Sequence, residues 1–152
     1  MIELSPGDLA RIRAHGEATY PEECCGILVG SSEKTAGEDP APLARVVRLV
    51  GAENEREDES RHNRYLIPPE VILRTEREAR ADGLDVVGYY HSHPDHPSRP
   101  SDFDRDHAWP GYSYLIVSVR EGRARDERSW RLSNDRSRFD EEPIRTPEPP
   151  AT

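Results

Sequence analysis

Residues 85–104, DVVGYYHSHPDHPSRPSDFD, restrict the fold of this chain more than any other stretch. An apolar run of β type delivers His91 and His93 into a passage broken by Pro94, Pro97 and Pro100, after which Ser101 opens a helical segment carrying Asp104. Side chains alternate along an extended strand, so the two histidines face the same side with about 6–7 Å between their Cα atoms. The prolines stiffen the return path and Ser101 can cap the helix, which lets the Asp104 carboxylate fold back onto the imidazoles. Two imidazoles and a carboxylate make three protein ligands, the number that holds a catalytic zinc whose fourth position is kept for water. Each half also has a plainer reading: paired histidines occur in solvated loops, and Ser-x-x-Asp is a common helix start. Together, on one strand, loop and helix, they point to a metal-dependent site.

The rest of the chain must bury this unit on a small apolar allowance. At 152 residues, with 34% hydrophobic and 34% charged, one compact core under a heavily solvated surface is expected. A formal net charge of −9 argues against nonspecific nucleic-acid binding and against anionic membranes, which require a basic face. No apolar run reaches the length of a membrane span, and the opening MIELSPGDLARI lacks the basic and apolar segments of a signal peptide, so a cytoplasmic protein is expected. Cys24 and Cys25 are sequence neighbours with poor geometry for bridging, and on a buried strand they read as inert thiols.

Taken in order, the pattern predicts a first helix with Ser5 as N-cap, Pro6 at its first position and Asp8 near its positive end, with Leu9, Ile12 and Ala18 facing inward and a stop at Pro21. Residues 24–29 predict a strand buried on both faces, 31–42 a loop and 44–50 a second strand. A polar loop over 51–64, a brief strand over 65–67 and a helix over 70–81 follow, the helix burying Val71, Ile72, Thr75 and Ala79 and stopping at Gly83. Strands over 85–90, 112–119 and 127–133 complete the pattern, the last two joined through Glu121 and Gly122. The domain is read as residues 1–139, with a Pro/Glu-rich tail over 140–152 expected to be disordered. Interleaved strands and helices make the fold class α/β.

Amide hydrolysis also needs a group that takes a proton from water and hands it to the leaving amine. Glu22 and Glu23 precede the buried strand and either could reach a metal on its neighbour. Ser101 could cap the helix or donate to an oxyanion. Asp102, Asp106, His62, His96 and His107 read as surface groups.

The acid before CCGILVG, then HSH, seven residues and SDFD, resembles the signature of the JAMM (MPN-plus) zinc metalloproteases, and ECCG and Pro100-Ser101 bring it nearest to the short bacterial and archaeal members. The resemblance implies a mixed β-sheet flanked by helices, related to the cytidine-deaminase architecture. It implies that His91, His93 and Asp104 bind Zn2+, that Glu23 is the general base with Glu22 the one-residue alternative, and that Ser101 helps hold the oxyanion. The implied reaction is peptidase or isopeptidase cleavage at the C-terminus of a ubiquitin-like or sulfur-carrier protein ending in Gly-Gly. A noncatalytic MPN-type scaffold is the alternative, and it typically lacks the ligands retained here. Oligomeric state is left open, and the second cysteine, the loop over 51–64 and the acidic tail lie outside the signature.

Overall fold

The most apolar runs of the chain become the central strands of one mixed sheet. The computed structural model describes residues 1–54 and 67–147. The elements run β1 (Ile2–Glu3), α1 (Pro6–Thr19), β2 (Cys25–Lys34), β3 (Pro42–Ala52), α2 (Pro69–Ala81), β4 (Asp85–Pro94), α3 (Asp102–His107), β5 (Ser113–Arg120), β6 (Arg123–Leu132), β7 (Phe139–Glu142) and β8 (Ile144–Arg145). Their order in the sheet is β7-β6-β5-β4-β2-β3-β1-β8. Both faces of β2 are covered, as its unbroken apolar sequence requires. On one face Cys24 and Leu28 pack with Ile12, Tyr90, Leu115 and Val117; on the other Cys25, Ile27 and Val29 meet Ile67 and Ala79.

The helices are set by their first and last turns. The Ser5 hydroxyl accepts from the Asp8 N–H at 3.0 Å, as the start signal predicts. α1 buries Ile12 and Gly16, whereas Ala18 is exposed, because six residues past Ile12 the helix has turned away from the core. Gly16 lies where a Cβ would come within 3.0 Å of Val119 and 3.3 Å of Ser92, so its lack of a side chain sets how closely α1 approaches β4 and β5. In α2 the predicted stripe faces inward, with Thr75 and Ala79 buried and Val71 and Ile72 packed beside them. Gly83 ends it at φ 73°.

Several boundaries differ from those read in the sequence. β1, two residues long and too short to carry a periodicity, pairs in parallel with β3 and β8. β2 runs on to Lys34 and β3 starts at Pro42, so the expected loop over 31–42 shrinks to 35–41, the polar ends being held by ladder pairing such as Ser32 with Ala44. Gly51 and Ala52 belong to β3, while the rest of the expected loop, from 55, and most of the expected strand over 65–67 lie outside the described residues. β6 starts at Arg123, directly after a two-residue turn in which Glu121 and Gly122 have φ 51° and 82°, the hand that suits a tight hairpin.

Within the tail over 140–152, expected to be disordered, residues 140–142 and 144–145 are strand. Phe139–Glu142 pairs with β6 at one margin of the sheet, and Ile144–Arg145 pairs with β1 at the other. Pro143 therefore lies where the two margins meet, and its carbonyl accepts from the Ile2 N–H at 2.9 Å. Composition missed this because the pairing depends on partners distant in sequence and on one buried acid. Glu142 is only 6% exposed, and its carboxylate accepts from Ser129 Oγ at 2.8 Å and Arg131 Nε at 2.9 Å. Residues 148–152 lie outside the described residues.

Burial alone would raise the Glu142 pKa, but the charges and hydrogen bonds around it, led by Arg131, hold it below the ordinary carboxylate range. Such a group stabilises the fold above its unfolded pKa, and its contribution is lost as pH falls through the folded one. Glu142→Ala is expected to lower the unfolding free energy by about 3 kcal/mol at pH 7, with a smaller gap under acid conditions. Urea unfolding at neutral and acid pH checks this; an unchanged midpoint would mean that residues 139–145 do not hold the sheet together.

Candidate metal centre

The site is built where β4 emerges between β2 and β5. His91 pairs with Cys25 on β2 and with Ile116 on β5, and His93 pairs with Ser118. Alternation puts both imidazoles on one side of β4, while Ser92 points the other way and its Oγ accepts from the Cys24 N–H at 2.8 Å. The Ser92 N–H in turn donates to the Cys24 carbonyl at 3.2 Å, which carries the antiparallel register one step past β2 and sets Glu23 opposite His93. Glu23, His91 and His93 are 2%, 1% and 7% exposed, so this is a group of buried polar side chains within an apolar fold.

Their atoms converge. His91 Nε2 lies 3.1 Å from His93 Nε2. Asp104 Oδ1 is 3.2 Å from His91 Nε2, and Asp104 Oδ2 is 3.2 Å from His93 Nε2. Glu23 Oε1 stands 3.9 Å from His93 Nε2. His93 Nδ1 is 2.8 Å from the Pro97 carbonyl, which can only accept, so that nitrogen carries the proton and Nε2 presents its lone pair inward. Donors tetrahedrally arranged around zinc at about 2.0 Å are about 3.3 Å from one another, close to the 3.1 Å between the two imidazole nitrogens, while Asp104 turns a different oxygen toward each of them; Glu23, His91 and His93 also form a group close enough to share one ion. Glu23 Oε2 is buried without a hydrogen-bond partner among the described residues. Acceptors facing one another at these distances repel unless a proton or a cation lies between them, so the donor set fits a zinc ion.

Helix-start chemistry and ligand geometry turn out to use the same atoms. Ser101 caps α3 by accepting from the Asp104 N–H at 3.1 Å, and Asp104 Oδ2 accepts from the Ser101 N–H at 2.8 Å. That reciprocal pair fixes the carboxylate as it meets the histidines. The Ser101 hydroxyl uses a lone pair in the cap and keeps its own hydrogen to donate, so capping and oxyanion donation need not compete. Asp104 also borders an apolar cavity of about 190 Å³ between α2 and α3, lined in part by Ile72, Tyr89, Phe103 and Trp109.

The remaining candidates separate cleanly. Glu23 reaches the cluster, whereas Glu22 is half-buried beside it. Asp102, Asp106, His96 and His107 are exposed, and His62 lies outside the described residues. Cys24 and Cys25 are buried free thiols, pushed up by burial to about 11 and about 12. Asn54 donates to the Glu23 carbonyl at 3.4 Å. Two contributors were not read from the sequence: the Pro97 carbonyl, a backbone group without a sequence signature, and Ser92, whose place between two inward-facing histidines could have marked it as a buried tie to the next strand.

A family profile described as prokaryotic homologs of the JAB domain matches residues 6–133. The chain belongs to this family. The desampylase of Haloferax volcanii is 36% identical to it over 114 residues, which are 72% of each chain. A protein from Salinibacter ruber with a known solution structure is 43% identical, has a TM-score of 0.68 and is matched over 100% of this chain and 95% of its own. A JAB1/MPN domain protein from Archaeoglobus fulgidus, 20% identical with a TM-score of 0.55 over 97% of this chain and 95% of its own, shares the fold. Among the described residues no helix is long and apolar enough to cross a membrane.

Protonation states in this JAB-family site follow from burial and neighbours. Desolvation holds His91 below the ordinary imidazole range, leaving it neutral. Burial alone would raise Asp104, but the two imidazoles beside it hold it well below the usual carboxylate range. Glu23 is pushed up to about 9, first by burial and then by the Asp104 charge.

The metal-free folded chain therefore keeps a proton that the unfolded chain releases near the ordinary value of 4.5. Its stability should fall as pH rises from there toward 9, because the folded state binds the extra proton throughout that window. In excess chelator, Glu23→Gln is expected to flatten this decline and to be more stable than the parent at pH 8.5. Denaturant midpoints at pH 6 and 8.5 measure it, and identical slopes for the two proteins would contradict the assignment of the buried proton to Glu23.

Proposed function

We propose that this chain is a zinc-dependent peptidase or isopeptidase that hydrolyses an amide bond at the C-terminus of a ubiquitin-like or sulfur-carrier protein. The observation that carries the reading is the convergence of His91, His93 and Asp104 at 3.1–3.2 Å with the Glu23 carboxylate beside them. In this reading His91, His93 and Asp104 hold the ion. When bound, zinc polarises a carbonyl oxygen and lowers the pKa of water toward neutrality.

The chain's own residues supply the rest. Glu23 takes a proton from the water that attacks the amide carbon; as the C–O bond forms and the C–N bond breaks, it passes that proton to the leaving amine. Burial keeps the carboxylate away from bulk water, and a nearby cation would favour its charged form over the protonated state of the metal-free chain. Ser101 donates its free hydrogen to the developing oxyanion while its oxygen remains on the Asp104 N–H. Support for the substrate class comes from the Haloferax volcanii relative, an enzyme named desampylase. A Gly-Gly end suits such a site because glycine lets the backbone pass close to buried ligands. A noncatalytic scaffold is the alternative; the enzyme reading is favoured because such members typically lack the ligands, whereas the side chains of His91, His93 and Asp104 lie together here.

Incubation with carrier proteins bearing C-terminal adducts, with and without chelator, should release the adduct only when zinc is present, as read by mass spectrometry. Glu23→Gln is expected to lower turnover by about 10²–10⁴-fold while zinc content is unchanged. Retained activity in that variant would move the proton transfer to Glu22. Replacing either terminal glycine of a cleaved carrier by a bulky residue should block release; undiminished cleavage would remove the Gly-Gly requirement.

A further inference from the structure

We propose that Asp95 is a positioning residue that sets the direction of the His93 imidazole and ties it to the segment carrying Glu23. The assignment rests on the metal-site reading above. Asp95 follows His93 by two residues and has φ 57°, a left-handed conformation uncommon for residues with a side chain and taken most readily by Asn and Asp. Three hydrogen bonds hold it there. Its N–H donates to the Val119 carbonyl at 2.7 Å, its Oδ1 accepts from the Glu121 N–H at 2.8 Å, and its Oδ2 accepts from the Tyr20 hydroxyl at 2.5 Å.

The consequence is a sharp reversal immediately after β4. Beyond it the His96 carbonyl accepts from Ser118 Oγ at 2.6 Å, and the Pro97 carbonyl comes within 2.8 Å of His93 Nδ1. That last contact decides which ring nitrogen carries the proton and hence which one faces Asp104. Tyr20 adds a second link. It is the C-cap residue of α1 and stands three residues before Glu23, so one exposed carboxylate joins the two segments whose side chains meet at 3.9 Å in the site. Asp95 is exposed and adds nothing to the apolar core, which leaves the fixing of the two segments as its role.

The test compares Asp95→Gly, which permits the left-handed backbone but removes both acceptor oxygens, with Asp95→Asn, which keeps an acceptor for the Glu121 N–H. Long-range ¹H–¹⁵N correlation of the His93 ring in metal-free protein reads the tautomer, and competition with a chromophoric chelator reads zinc affinity. Asp95→Gly is expected to shift His93 from the single Nδ1–H tautomer to a mixture and to weaken zinc by about tenfold, with Asp95→Asn within about threefold of the parent. An unchanged His93 tautomer in Asp95→Gly would overturn the proposal, whatever the zinc affinity. Because the tautomer is read without metal, it decides the role of Asp95 even if the chain takes up no zinc, which keeps failure of this inference separate from failure of the metal reading.

Discussion

Antiparallel pairing between β2 and β4 is the constraint on which the rest of this molecule depends. Cys25 lies opposite His91, and the exchange between Cys24 and Ser92 extends the register just far enough to bring Glu23 over His93. A slip of one residue would turn both imidazoles to the opposite face, because side chains alternate along a strand. The register is locked by burial on both faces of β2 and by Gly26, where a Cβ would fall 2.2 Å from the Tyr90 ring. A buried carboxylate and two buried imidazoles are costly to desolvate, and the apolar packing of these strands must offset that cost.

The second constraint is local. Ser101 and Asp104 form a reciprocal cap at the start of α3, and the atoms that satisfy the helix end also fix the third candidate ligand. A short helix with few core contacts can therefore present a carboxylate with a defined orientation. Its entry path is held from the other side by Ser118 and Trp130, which donate to the His96 and Ser98 carbonyls. The carbonyls of His96, Pro97 and Ser98 are all occupied, which ties the middle of the loop between His93 and Ser101 to its surroundings.

Much of this could be read in the sequence wherever chemistry and periodicity coincide. His91, His93 and Asp104 follow from strand alternation and a capped helix, and α2 shows the 3.6-residue stripe it then buries. Glu23 could not be separated from Glu22 by the residues alone, because the choice rests on the β2 and β4 register, a long-range property. β1, β7 and β8 stayed hidden for the same reason: each is short, and what stabilises it is a partner far along the chain, as with Glu142 and Arg131. The polar tail composition suggested disorder, yet a buried, paired acid is worth more to the fold than mean hydropathy indicates.

In the proposed function, His91, His93 and Asp104 converge to bind one zinc ion. Diffraction from zinc-supplied crystals, collected above and below the zinc absorption edge, tests it most directly. The account predicts a single anomalous peak about 2.0–2.2 Å from Nε2 of His91, Nε2 of His93 and a carboxylate oxygen of Asp104, with Glu23 nearby but unbound. A peak elsewhere on the chain, or imidazoles turned away from one another around no peak at all, would contradict it.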